Sequence, residues 1–456
     1  MNTVRKVTGL ILLAASCFPS STLATTLLEA VNAAAEHDSA IKAAMKSKRA
    51  GNEAFDQGIA GLLPSVGLES NYTKQDQPHA SYAAAVKRHS YSINLSQPLF
   101  DVAKIAALKR GSALSDIADV EFLSAQQKLV SEVSEAFFSV LYQREVLQAT
   151  RAASQAFGKQ LSMAKAALRI GEGLKTDVDE AQANYDRAHA NEIAARNDLE
   201  VANGTYQRLT GLNADGISPI NTSCILPAPK GDIKKAMLSA AENNLDVVKT
   251  RLQLEQTRSD VIATTAAHLP VVSFQASYGG NWSRGEGNNP LDSWFGTTQK
   301  TRNTLIGINV SMPLFNGGGQ FSQSREALNR RDQARETLED ARRKASQEAR
   351  SAWLGVTNGF ALVNALNKAT HSAANKVKST EYGREVGLRT IVDVLNAQQS
   401  FYETQQNISE ARYKFLSSKL NLALIQGQLN AQTLQEFACV GTQSANEFTY
   451  SNRVKG

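Results

Sequence analysis

Proline occurs only 10 times in this 456-residue chain, aromatic side chains make up 7% of it, and there are three cysteines. So few helix breakers permit very long helices. With so few aromatics, and with alanine, glutamine, asparagine and serine filling long stretches, the composition suits coiled coils better than a globular core. Beyond residue 24 no apolar run approaches the ~20 residues of a spanning helix. Any insertion into a membrane must then be as a β-barrel, the other structure that satisfies its backbone in lipid. The net charge of +6 is dispersed, and no Lys/Arg run tracks a phosphate backbone, so nucleic acid is not an expected partner. His37, His79, His89, His189, His268 and His371 are scattered without metal-ligand spacing, and no GxSxG, P-loop or dinucleotide fingerprint occurs. The expectation is a protein with no enzymatic activity, no cofactor and no metal.

Residues 1–24 read as a secretory signal peptide, with Arg5 and Lys6 as its basic start, Val7–Ala15 as its apolar core and Thr22-Leu23-Ala24 at the cleavage site. The mature chain then begins at Thr25. Ala14-Ala15-Ser16-Cys17 loosely resembles a lipobox, so lipidation of Cys17 is a second route. Processing leaves Cys224 and Cys439, each shortly after the end of a repeat; in an oxidising compartment they either bridge or stay free thiols.

The chain reads as a tandem duplication, residues 25–212 and 231–429, joined by a linker at 213–230 and followed by a tail at 430–456. Three anchors align the copies: Leu63-Pro64-Ser65-Val66 with Leu269-Pro270-Val271-Val272, Ser96–Asp101 with Ser311–Asn316, and Gly173–Asp179 with Gly387–Asp393. Each copy opens with a helix, about 27–60 and 233–266, that a proline ends. Segments of period-two alternation follow, at 66–73 and 90–96 in the first copy and at 272–282 and 304–312 in the second. Tyr91, Ile93 and Leu95 oppose Ser92, Asn94 and Ser96, and Ile306, Ile308 and Val310 oppose Gly307 and Asn309, the pattern of strands between lipid and a polar lumen. Four strands cannot close a barrel, for which about eight is the least. Several copies must therefore share one barrel, and three would supply twelve strands.

After each Pro-Leu-Phe comes a very long helix, about 102–169 and 319–385, reaching roughly 100 Å at 1.5 Å per residue. Ala345, Ala349, Ala352, Val356, Gly359, Val363 and Leu366 form a heptad seam of mostly small residues. Return helices span about 176–210 and 390–427. Val394, Phe401, Ile408, Phe415 and Leu422 recur every seven residues in the second, and Val178, Tyr185, Leu199 and Tyr206 echo them in the first. At the joints Gly171, Gly173, Gly383 and Gly387 supply the turns, and Thr176 or Thr390 is the helix N-cap.

This layout, with the Val386–Leu395 joint as its most specific part, resembles the TolC family of outer-membrane channel-tunnels over essentially the whole mature chain. The resemblance implies an α+β membrane protein: a homotrimer whose twelve-stranded β-barrel, four strands per chain, continues into a long α-helical coiled-coil barrel. It implies location in the outer membrane of a Gram-negative cell, among outer-membrane lipid, with the helices extending into the periplasm. Implied partners are a periplasmic adaptor (membrane fusion) protein and an inner-membrane ABC or proton-driven transporter, with drugs or secreted proteins as cargo. In the family the periplasmic end is pinched shut by links between neighbouring hairpins and lined by acidic rings. By position Arg389 matches the basic gate residue, Asp179 its acidic partner and Asp393 the first acidic ring. Two positions depart: the second ring falls on Asn396, and the gate tyrosine on Arg384, with Tyr382 two residues earlier. The rival reading is a non-channel periplasmic or surface coiled-coil protein, such as an adaptor.

Overall fold

A computed structural model describes residues 25–76, 85–217, 231–285, 299–429 and 434. Cys17, Cys224, Cys439, the signal segment and the tips of both strand-connecting loops lie outside the described residues.

The first helical stretch of each copy is two helices, not one. α1 (Leu27–His37) and α2 (Ser39–Ala60) part at Asp38; α3, the first long helix, is Val102–Arg169. In the second copy α5 (Ile233–Asn243) and α6 (Leu245–Ala266) part at Asn244. Neither break needs glycine or proline. Asp38 (ψ 128°) and Asn244 (ψ 133°) leave the helical region, and their side chains accept hydrogen bonds from the N–H groups opening the next helix. The break lets α1 turn its apolar stripe, Leu27, Ala30, Val31 and Ala34, into the core.

α3 folds back into α4 (Lys175–Thr210), and the second long helix, α7 (Gly319–Glu385), into α8 (Ile391–Ile425). α3 also lies against α8, so the two hairpins pack side by side. At 1.5 Å per residue the 68 residues of α3 extend about 100 Å. The core sits midway, where Phe137 and Tyr206, both fully buried, meet with ring centroids 6.3 Å apart and Phe138 lies 6.5 Å from Tyr413. In α4 Ala181, Ala188, Ala195 and Ala202 form a buried heptad row; of the larger residues of the apolar pattern, Tyr206 is fully buried and Val178, Tyr185 and Leu199 are half-buried. Alanines let the paired helices approach closely.

The copies differ where the short helices lie on the long ones. α2 meets α3 through Gly51, Gly58 and Gly111; a Cβ at Gly58 would lie 2.9 Å from Leu108 Cα, and one at Gly111 would overlap the Ala54 carbonyl oxygen. Repeat offset places Thr257 and Thr264 of α6 at the positions of Gly51 and Gly58. There two open pockets of about 490 and 340 Å³, both lined by Thr257 and Arg330, lie between the helices.

Four antiparallel strands, β1 (Ser65–Asp76), β2 (Ala85–Phe100), β3 (Val271–Gly285) and β4 (Gln299–Ser311), form one sheet in that order. They outrun their alternating segments because ladder hydrogen bonds continue through polar residues such as Lys74–Lys87 and Trp282–Lys300. Register puts Leu68, Ile93 and Tyr278 on one face, and Glu69, Ser92 and Gly279 on the other. Leu68 (75%), Ile306 (70%) and Ile308 (67%) are bare in the single chain, which an aqueous setting would not tolerate across a whole face. Among the described residues both outer strands, β1 and β4, have an unpaired edge.

Candidate functional site at the hairpin tips

The two tips lie at the ends of α3 and α7, a long helix away from the sheet. Each is built by the same hydrogen bonds. At the first, Gly171 N–H donates to Leu168 O (3.1 Å) and Glu172 N–H to Ala167 O (2.9 Å). At the second, Gly387 N–H donates to Arg384 O (3.0 Å) and Leu388 N–H to Gly383 O (2.7 Å). These are Schellman turns, which need a left-handed residue just past the helix; Gly171 (φ 83°) and Gly387 (φ 75°) supply it. Gly173 and Gly383 serve otherwise. They are absent from the positive-φ set, and a Cβ would come within 2.8 Å of Leu168 N at the first and of Arg389 Cγ at the second.

Helix starts separate the tips. Thr390 caps α8: its hydroxyl accepts from Asp393 N–H (3.2 Å), while its own N–H and hydroxyl donate to Asp393 Oδ2 (3.0 Å each). Those bonds, the backbone one first, hold the Asp393 carboxyl below the usual carboxylate range, and nearby Arg389 adds a smaller pull in the same direction. Thr176 is no cap. α4 begins at Lys175 with Leu174 in the cap position, where no side chain can accept a bond, and Thr176 is already the second helical residue.

Arg389, Asp179, Tyr382 and Asn396 are exposed. Within this chain Arg389 and Asp179 form no ion pair with each other, and Asp179 has no side-chain hydrogen bond. Arg384 is engaged: its guanidinium donates to the buried Gln160 Oε1 of α3 (3.0 Å) and lies 3.8 and 3.9 Å from Met163 Sδ. The structure therefore joins Arg384, but neither Arg389 nor Asp179, to the neighbouring hairpin of the same chain.

Sequence reasoning missed the other links between hairpins. Arg187 of α4 donates to Gln399 of α8 (2.7 Å), and Tyr402 of α8 donates to Ala152 O of α3 (3.4 Å) with its ring edge-on to Phe157. Leu395, 1% exposed, fills a pocket of Phe157, Leu161, Ala164 and Ala181. Higher up, the Tyr413 hydroxyl donates to Glu145 Oε1 (3.0 Å), which also pairs with Arg412 at 3.3 Å. Burial, then the Glu145 charge, raises the Tyr413 hydroxyl far above its ordinary value. Only Leu395, within an apolar heptad run, carries a sequence signal. Among the described residues no group of side chains is arranged to hold a metal ion.

A family model described as "Outer membrane efflux protein" matches residues 30–212 and 237–428. The chain is 29% identical over 432 residues to Outer membrane protein TolC of Escherichia coli (strain K12), covering 93% of this chain and 87% of that protein. It is 26% identical over 450 residues to Proteases secretion protein PrtF of Dickeya chrysanthemi, covering 95% of each. Its fold matches the crystal structure of the outer membrane protein VceC from Vibrio cholerae with a TM-score of 0.73 at 18% identity, over 88% of this chain and 96% of that one.

Proposed function

The chain belongs to the outer membrane efflux protein family, and from that premise we propose that it is the outer-membrane exit duct of a tripartite export system. In this role it passes drugs or secreted proteins from an inner-membrane transporter, through a periplasmic adaptor, to the exterior. The observation that carries the proposal is one sheet with an apolar face, a polar face and two unpaired edges, set on hairpins about 100 Å long. Unpaired edges are not tolerated in lipid. Pairing β4 of one copy with β1 of the next closes a twelve-stranded barrel from three chains, with the polar face lining the lumen. Its place in the outer membrane argues against the rival reading as a periplasmic adaptor.

The gate lies at the tips. Arg389 and Asp179 are exposed and unpaired with each other in the chain, as groups must be that link hairpins of neighbouring copies. Charged hydrogen bonds of this kind hold a closed state by a few kcal/mol in total, and an adaptor that binds the open state more tightly releases it. Arg384, where a tyrosine is expected, spends its guanidinium on Gln160 and braces the two hairpins of one chain instead. Three Asp393 carboxylates, kept ionised by their caps, give the entrance a preference for cations; Asn396 adds no charge. Planar-bilayer conductance tests the gate: Arg389→Ser and Asp179→Ala should each raise it several-fold, and unchanged conductance would refute the pinch. Comparing drug sensitivity and secreted proteins in a deletion strain identifies the cargo.

A further inference from the structure

The sheet has one feature that forming a duct does not require. Its apolar face ends, on the side away from the helices, in a band of cations. Arg302 shares a row with Tyr91, Lys300 with His89 and Trp282, and Arg284 with Lys74 and Lys87. All stand on the face that carries Leu68, Ile93 and Ile306, as the period-two register requires. Asp76, paired with Lys74 at 3.5 Å, is the only acid on this face among the described strand residues; Glu69 points the other way. His89 lies 3.5 Å from the Ser70 hydroxyl. Arg284, Lys300 and Arg302 are exposed and have no ion pair or side-chain hydrogen bond with any described residue.

Height decides what such a cluster meets. Val310 and Lys300 are ten residues apart on β4, about 33 Å along the strand and about 25 Å along the normal at a 40° tilt. That is the height of the apolar band of an outer-membrane barrel. Trp282, beside Lys300, and Tyr91, whose ring covers Gly280, stand where an interfacial aromatic belt stands. Neighbouring strands lie about 4.8 Å apart and alternate residues about 6.8 Å, so Lys300 stands about 7 Å from Arg302 and about 8 Å from Arg284, with the outer two about 14 Å apart. A soluble anion would use the cations and ignore the apolar surface beneath them. A lipid with phosphates on its headgroup uses both.

We propose that Arg284, Lys300 and Arg302 form a binding site for phosphate-bearing lipid of the outward leaflet, its acyl chains lying on the Leu68–Ile93–Tyr278 surface. The site rests on the exit-duct reading for its orientation. The test is a native mass spectrometry titration of the full chain in neutral detergent with lipid A, against lipid A stripped of its phosphates. The variant carrying Arg284→Gln, Lys300→Gln and Arg302→Gln should bind lipid A roughly a hundred-fold more weakly. Lys300→Gln alone, which decides the matter if that variant does not reach the membrane, should lose about five-fold. Arg88→Gln, at the same height on the opposite face, should bind as the parent does. Undiminished affinity in the substituted chains, or equal binding of the dephosphorylated lipid, overturns the proposal. A conducting channel indifferent to the phosphates would sink this inference alone. A chain that binds lipid A by its phosphates but never conducts would sink the exit-duct reading instead.

Discussion

Replacing Gly111 with alanine should destabilise the α2–α3 contact even though alanine is the better helix former. Gly111 lies inside α3, where Gly→Ala is worth about 1 kcal/mol on propensity alone. Its new methyl, however, would overlap the Ala54 carbonyl oxygen and lie 3.3 Å from Phe55 Cα. Both obstacles are backbone, so no rotamer change relieves them, and α2 must shift as a body. Overpacking of this kind costs about 1–3 kcal/mol, and a backbone clash belongs at the upper end. The net loss is then about 2 kcal/mol, or roughly thirty-fold in the population of locally opened α2. Gly204→Ala is the control. Gly204 is inside α4 and exposed, with nothing within 4 Å of an added Cβ, so only the propensity gain of about 0.5–1 kcal/mol remains. Hydrogen exchange followed by mass spectrometry on the full chain reads both. Gly111→Ala should speed exchange across residues 39–60, and Gly204→Ala should slow it in α4. If Gly111→Ala protects α2 as well as the parent does, the glycine contact does not hold these helices together.

The Asp393 carboxyl is depressed in the folded chain, so its contribution to the first turn of α8 is complete above the ordinary carboxylate value of about 4 and is lost as pH falls through the folded value. Protection factors of amides just after Asp393 should fall on acidification, and Thr390→Ala should lower them at neutral pH by roughly five-fold and flatten the pH response. At the mid-helix cluster, Glu145→Ala strands the buried Tyr413 hydroxyl and should cost about 1–3 kcal/mol in denaturant titrations. Glu145→Gln keeps an acceptor for that hydroxyl and loses only the half-buried pair with Arg412, so it should cost less; the reverse order would contradict the hydrogen bond.

Periodicity made the long elements legible. A helix of 68 residues repeats its pattern many times, and strands with opposite faces alternate residue by residue, so both signals outweigh local noise. The splits at Asp38 and Asn244 were not legible, because each residue also fits a helix interior and only the path of α1 and α5 makes it a cap. The glycine contact between α2 and α3 was hidden for a related reason: Gly51 faces Ala118 and Gly111 faces Ala54, pairs 67 and 57 positions apart whose meeting is a tertiary fact. At the tips the glycines were readable but their uses were not. Gly171 and Gly387 answer to a dihedral angle, whereas Gly173 and Gly383 answer to a crowded Cβ.

The tips also show that sequence equivalence and structural equivalence part company by two residues. Motif alignment pairs Gly173 with Gly387 and Asp179 with Asp393. The turns instead pair Gly171 with Gly387, Leu174 with Thr390 and Asp177 with Asp393, since the members of each pair hold the same place relative to the turn and the helix start. This shift explains why two copies of one aspartate behave differently. Asp393 sits at the third helical position, where Oδ2 of its carboxylate reaches back to Thr390 and closes the cap. Asp179 sits at the fifth, beyond reach of any orphan N–H, and its carboxylate projects unspent into solvent. Sliding the motif past the turn converts a capping residue into one able to bind another chain. Of the two aspartates, Asp179 is the one with both carboxylate oxygens outside a helix cap.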